Sequence, residues 1–85
     1  MEKSGPRLRA NRKKQKALLL LLRQVRVEAG MRQEDLAQAL GMPQSVVSKF
    51  ESGERRLDLL ELSDVCEALG QSLTEFTRRF EKLLR

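Results

Sequence analysis

Gln44, Ser45, Ser48 and Lys49 are spaced at i, i+1, i+4 and i+5, which puts them on one face if the segment is helical. Together these short and medium side chains offer both donors and acceptors. Such a face suits the edges of base pairs in a major groove, where each pair displays its own donor and acceptor pattern. It would be an odd choice for a protein interface, whose centre takes an apolar anchor. Other chemistry is thinly represented. Histidine is absent, which removes the commonest proton-transfer group. With Cys66 the single cysteine, there is no zinc site and no internal disulfide. No carboxylate pair, nucleophile with base, phosphate-cradling glycine loop or cofactor signature stands out. The chain reads as a non-enzyme with no metal and no cofactor.

The polar face needs a helix and a scaffold to hold it. Pro43 suits the first position of that helix, which runs to about Ser52 and stops at Gly53. Its inward side is Val47 and Phe50, with Val46 borderline. A preceding short helix, about Gln33–Leu40, turns Leu36, Ala37 and Leu40 inward and carries Glu34 and Asp35 in its first turn. The two meet at the tight turn Leu40-Gly41-Met42-Pro43, so residues 33–52 form one helix-turn-helix unit. Ahead of it, Leu18, Leu21, Leu22, Val25 and Ala29 make one stripe of a helix over roughly 12–29, ended by Gly30. Leu19, Leu20 and Val27 lie off that stripe. Behind it, Asp58-x-x-Glu61 and Ser72-x-x-Glu75 fit the capping-box pattern. They open helices over about 59–69, with Leu62, Val65, Cys66 and Leu69 inward, and about 73–84, with Leu73, Phe76, Phe80, Leu83 and Leu84 inward. No alternating run is long enough for a strand, and the expected fold is all-α with five helices.

A chain of 85 residues makes one small domain. Its net charge of +5 is unevenly placed. Residues 1–16 carry a net +6 and the remainder −1. Residues 1–14 are expected to be a basic, flexible arm, irregular to about residue 10 after Ser4-Gly5-Pro6, and residues 15–85 the domain. Such an arm either meets a polyanion or is a solvated tail that keeps the protein soluble. The leucine run Leu18–Leu22 is too short for a secretory or membrane-spanning segment. The expected location is the cytoplasm.

At this point the sequence resembles the Cro/C1 (Xre-type) helix-turn-helix DNA-binding family. The matching residues are Arg26, Gly30-Met31, Gln33, Leu36-Ala37 and Leu40-Gly41; then Gln44-Ser45, Val47-Ser48-Lys49, Glu51 and Gly53; then Ala68-Leu69-Gly70. The likeness covers about residues 18–77. It implies the bundle of the lambda-repressor type and a set of roles. Gln44, Ser45 and Lys49 would read base edges, and Val46 would meet a thymine methyl or stay partly buried. Gln33 and Ser48 would lie against the DNA backbone, and Arg55 and Arg56 would clamp phosphates after the third helix. Arg26 and Glu51 would form a structural ion pair. Two positions depart from the family pattern. Arg32 and Pro43 stand where a hydroxyl N-cap is common, at about 1 kcal/mol per cap lost. Arg32 could offset its loss at a phosphate, and Lys13 and Lys14 of the arm are assigned to the DNA backbone.

The resemblance implies a transcriptional regulator that binds double-stranded DNA. The reading is a repressor on a pseudo-palindromic operator, acting as a homodimer, because one recognition helix makes too few contacts for useful specificity. Phe80, Leu83 and Leu84 are assigned to the dimer interface, with core packing as the alternative. The second reading is an antitoxin that binds a toxin and its own operator, with Leu19, Leu20, Val27 and Leu84 as the surface to inspect. A third, an interaction module without DNA binding, would need an acidic recognition face. That face carries Lys49 and no acid. With 85 residues leaving no room for a sensor domain, control would come from protein level, operator competition or a partner.

Overall fold

The computed structural model describes the backbone of residues 5–85 and the side chains of residues 11–85. What was expected of residues 1–4, and of the side chains of Arg7 and Arg9, lies outside the described residues. Five helices follow one another: α1 (Gly5–Glu28), α2 (Gln33–Leu40), α3 (Gln44–Ser52), α4 (Leu59–Ala68) and α5 (Leu73–Leu83). No strand occurs among the described residues, and the fold is an all-α bundle of the helix-turn-helix type.

Helix α1 starts at Gly5, not near residue 12. Pro6 does not break it, because a proline in the first turn removes an N–H that has no helical partner anyway. The Arg, Lys, Gln and Ala residues that follow are strong helix formers. Residues 5–14 are therefore the first turns of a helix in place of an irregular arm. At the other end α1 stops at Glu28 and the chain turns at Gly30, φ +73°. Ala29 falls in that turn and is exposed, so it leaves the inward stripe where the periodicity had placed it.

The caps explain most other boundaries. Asp58 accepts from the Glu61 N–H at 2.8 Å, and Glu61 accepts from the Asp58 N–H at 3.0 Å, which completes a capping box. Ser72 accepts from the Glu75 N–H at 3.0 Å, but the Glu75 carboxylate turns to Arg78 at 2.7 Å, so that box is only half formed. Pro43 is the N-cap residue of α3, with ψ 150°, and not its first helical residue. Its carbonyl accepts from the Val46 N–H at 3.0 Å. Arg32 cannot accept at the N-cap of α2, yet Asp35 three residues on accepts from the Arg32 N–H at 2.8 Å. The missing hydroxyl cap is partly replaced from the helix side.

The core is one cluster. Leu21, Leu22 and Val25 of α1, Leu36 and Ala37 of α2, Val47 and Phe50 of α3, Val65 and Cys66 of α4, Leu69, and Phe76 of α5 are buried. Burial pushes the Cys66 thiol above its ordinary range, which leaves it a small core residue and not a nucleophile. A clasp at the surface ties α1 to α5: Arg79 donates to both oxygens of Glu28 at 2.9 and 3.0 Å. The Arg79 hydrogen bonds hold that carboxyl below the usual carboxylate range.

Gly53 carries a stricter requirement than Gly41. Both have positive φ, +86° and +68°. A Cβ at Gly53 would stand 3.0 Å from the Leu19 methyl, whereas at Gly41 nothing lies within 4 Å. Both Gly→Ala changes incur the left-handed penalty of about 1–2 kcal/mol. Only Gly53→Ala adds a clash, so urea denaturation should show it as the more destabilising of the two. Equal losses would mean that Leu19 gives way freely.

Candidate nucleic-acid interface

The site begins with a buried ion pair. Arg26 near the end of α1 faces Glu51 near the end of α3, and their side chains are only 10% and 6% exposed. Arg26 donates through Nε to one Glu51 oxygen at 2.6 Å and through Nη2 to the other at 3.1 Å. Its remaining nitrogen, Nη1, donates to the Met31 carbonyl at 2.8 Å in the turn before α2. One guanidinium thus joins α1, the α1–α2 turn and α3. The fork geometry is one that lysine could not reproduce.

Two glutamines extend this pair to the surface. Gln33, the first residue of α2, donates through Nε2 to Glu51 Oε1 at 3.0 Å. Gln44, the first residue of α3, donates through Nε2 to Gln33 Oε1 at 2.7 Å. A carboxylate only accepts, so it fixes which way the Gln33 amide faces, and Gln33 in turn fixes Gln44. Gln44 is exposed and keeps one N–H and its carbonyl free of this chain of bonds. The two helix starts are locked to each other through side chains instead of hydroxyl caps.

Beyond Gln44, the outer side of α3 presents exposed Ser45 and Lys49 and half-buried Ser48. Val46 is half-buried and packs against the core, so part of its side chain is committed inward. Arg32 is exposed at the start of α2, its guanidinium 3.2 Å from Asp35. Arg56 is exposed. It lines one open groove with Arg12 and Lys14 of α1, beside Phe80 of α5. Lys13 is also exposed on α1. Arg12 and Lys14 of the first helix and Arg56 of the loop after α3 therefore lie on one side of the molecule.

Arg55 does not share the arrangement expected for it. Its Nη2 donates to Glu61 Oε2 at 2.7 Å, and its Nη1 is buried without a partner. The guanidinium is turned toward Glu61 of α4. The Arg55 hydrogen bond holds the Glu61 carboxyl below its usual range.

Leu59 and Leu60, at the start of α4, are a second feature that the stripe reading passed over. They are 64% and 76% exposed. Their signal was present in the sequence, since both lie outside the stripe Leu62, Val65, Cys66, Leu69. Leu83 is exposed as well, while Phe80 and Leu84 are half-buried. Among the described residues no helix is long and apolar enough to cross a membrane.

A short helix fixed against a polar-faced second helix by buried and relayed contacts defines a helix-turn-helix DNA-binding domain. The helix-turn-helix family model matches residues 22–76. A solved XRE-family like protein from Pseudomonas syringae pv. tomato is 38% identical, covers 98% of this chain and all of its own, and superposes with a TM-score of 0.83. The restriction-modification controller protein C.Esp1396I is 25% identical over 84% of this chain and 91% of its own, with a TM-score of 0.78. The clp gene regulator ClgR from C. glutamicum is 26% identical over 85% of this chain and 92% of its own, with a TM-score of 0.74. No protein of curated function shows significant similarity to the chain. The chain belongs to the Cro/C1 (Xre-type) helix-turn-helix family and is a DNA-binding transcriptional regulator.

Proposed function

We propose that the protein is a sequence-specific repressor that reads a pseudo-palindromic operator as a homodimer. The observation that carries this reading is the relay Arg26–Glu51–Gln33–Gln44. It leaves Gln44 exposed, with one N–H and its carbonyl not used in the relay. That pair matches adenine, which shows N7 as acceptor and N6 as donor in the major groove. Ser45 and Lys49 extend the readout along the same face, with Val46 at its margin. Gln33, Arg32, Ser48, Arg56, Lys13 and Lys14 are assigned to the DNA backbone, where each contact adds salt-dependent and sequence-blind affinity. Arg55 joins them only after leaving Glu61.

The dimer surface is assigned to Leu59 and Leu60 together with Phe80, Leu83 and Leu84. Helices α4 and α5 pack on each other across a short turn, and all five residues belong to this pair of helices or the residue that ends it. An isologous contact there places two copies of α3 about a two-fold axis. The likeness to a restriction-modification controller and to a gene regulator supports a regulatory role. The antitoxin reading rests on Leu20 and Val27, both 60% exposed and seven residues apart on one side of α1. Leu19 and Leu84, the other residues of that candidate surface, are half-buried in the chain itself.

Gln44→Ala tests the readout. On a duplex selected from a random pool by the wild-type protein, affinity should fall by about 5- to 150-fold, the range for one bidentate base contact. Affinity for a scrambled duplex should stay unchanged. An equal fall on both duplexes would mean that Gln44 acts on the backbone and not on a base.

A further inference from the structure

An open groove of about 510 Å³ lies between the first half of α1, the loop after α3 and Phe80 of α5. Arg12, Lys14 and Arg56 line it, and all three are exposed. Among the described residues no carboxylate lines it. Three cations in one groove repel one another, and a polyanion relieves that repulsion as it binds. Asn11 and Gln15 add amide donors to the same wall. Leu18 and Phe80 make another part of it apolar, which keeps water back and leaves the cations less screened. The groove beside α4 has the opposite sign, since Glu61, Asp64 and Glu67 line it against Arg55 alone. Charge therefore selects one side of the molecule for a polyanion.

We propose that this groove seats the DNA backbone, with phosphodiester oxygens received by Arg12, Lys14 and Arg56 and by the amides of Asn11 and Gln15. The occupant is DNA because the groove is continuous with the reading helix: Gly53, the residue that ends α3, lines it. This seat presupposes the DNA-binding reading but not base recognition. Asn11, Arg12 and Gln15 lie ahead of the stretch that the helix-turn-helix family model matches, which begins at residue 22. They are binding residues that the extension of α1 toward Gly5 supplies. Because this stretch is helical, its cations are positioned before DNA arrives, and less ordering entropy is lost than for a flexible arm. Lys16, an exposed cation of the same helix, does not line the groove.

The test uses the full chain and two duplexes of equal length, one selected by the wild-type protein from a random pool and one scrambled. Each is titrated between about 0.05 and 0.2 M salt. Arg12→Gln should weaken binding to both duplexes by the same factor, roughly five- to tenfold at about 0.1 M salt, and should flatten the slope of log affinity against log salt by about one. Lys16→Gln removes a cation from the same helix outside the groove. It should cost less than about twofold and leave the slope unchanged. Both side chains are exposed, so the melting temperatures should match the wild type. A wild-type protein that shows no preference for the selected duplex would contradict base reading and leave the Arg12 result intact, because a backbone contact is felt on either duplex. Three results would overturn the proposal: an unchanged salt slope in Arg12→Gln, a loss confined to the selected duplex, or an equal loss in Lys16→Gln.

Discussion

Glu51→Ala is expected to cost about 3–5 kcal/mol of stability, because it leaves the Arg26 charge buried with only the Met31 carbonyl to receive it. A small domain has about 5–15 kcal/mol in total, so urea denaturation should show a large fall in midpoint. The hydrophobic double variant Arg26→Met, Glu51→Leu removes both charges and should recover most of that loss. It should not recover operator preference. Without the Glu51 carboxylate nothing fixes the direction of the Gln33 amide, and Gln44 loses its orientation with it. Stability and base discrimination therefore separate in this pair of variants. A loss below about 1 kcal/mol for Glu51→Ala would place the pair among exposed ion pairs and contradict its structural role.

Leu59→Glu with Leu60→Glu is expected to give a folded monomer whose operator affinity falls by about 10³ or more, into the non-specific range. Both leucines are largely exposed in the single chain, so replacing them removes little internal packing. The new carboxylates sit in the first turn of α4, where they complement the helix dipole, and the Asp58 cap is untouched. Any loss of self-association is then a property of the surface and not of unfolding. Sedimentation should report a monomer with a wild-type circular dichroism spectrum. A dimer that persists in the variant would move the interface elsewhere, and Leu20 with Val27 would be the next surface to change.

Much of this architecture was readable because local signals agreed. The inward pairs Leu36–Ala37 and Val47–Phe50, with glycines at the helix ends, set α2 and α3 to within a residue. Asp58 and Ser72 set the starts of α4 and α5. The start of α1 was misread because Ser4-Gly5-Pro6 looks like a breaker, while a proline in the first helical turn is harmless. The ion pair of Arg26 and Glu51 was visible only through family resemblance, since nothing local links residues 25 apart in sequence. The relay through Gln33 to Gln44 was not visible in that resemblance, which gave Gln33 a backbone role and Gln44 a base-reading one; its bonds join residues 18 and 11 apart. Arg55 shows the reverse case. Its place after Gly53 suggested a phosphate contact, but Glu61, fixed by the α4 capping box, lies within reach of it. Which of several partners a long cation takes is decided by tertiary geometry, and spacing does not encode that.

The most direct measurement is titration of the purified protein with its own upstream DNA and with a scrambled duplex of equal length, at two salt concentrations. The account predicts that the upstream DNA is preferred by about 10³ or more, with affinity for both duplexes falling as salt rises. Equal binding of both at either salt concentration, or none at low salt, would contradict it.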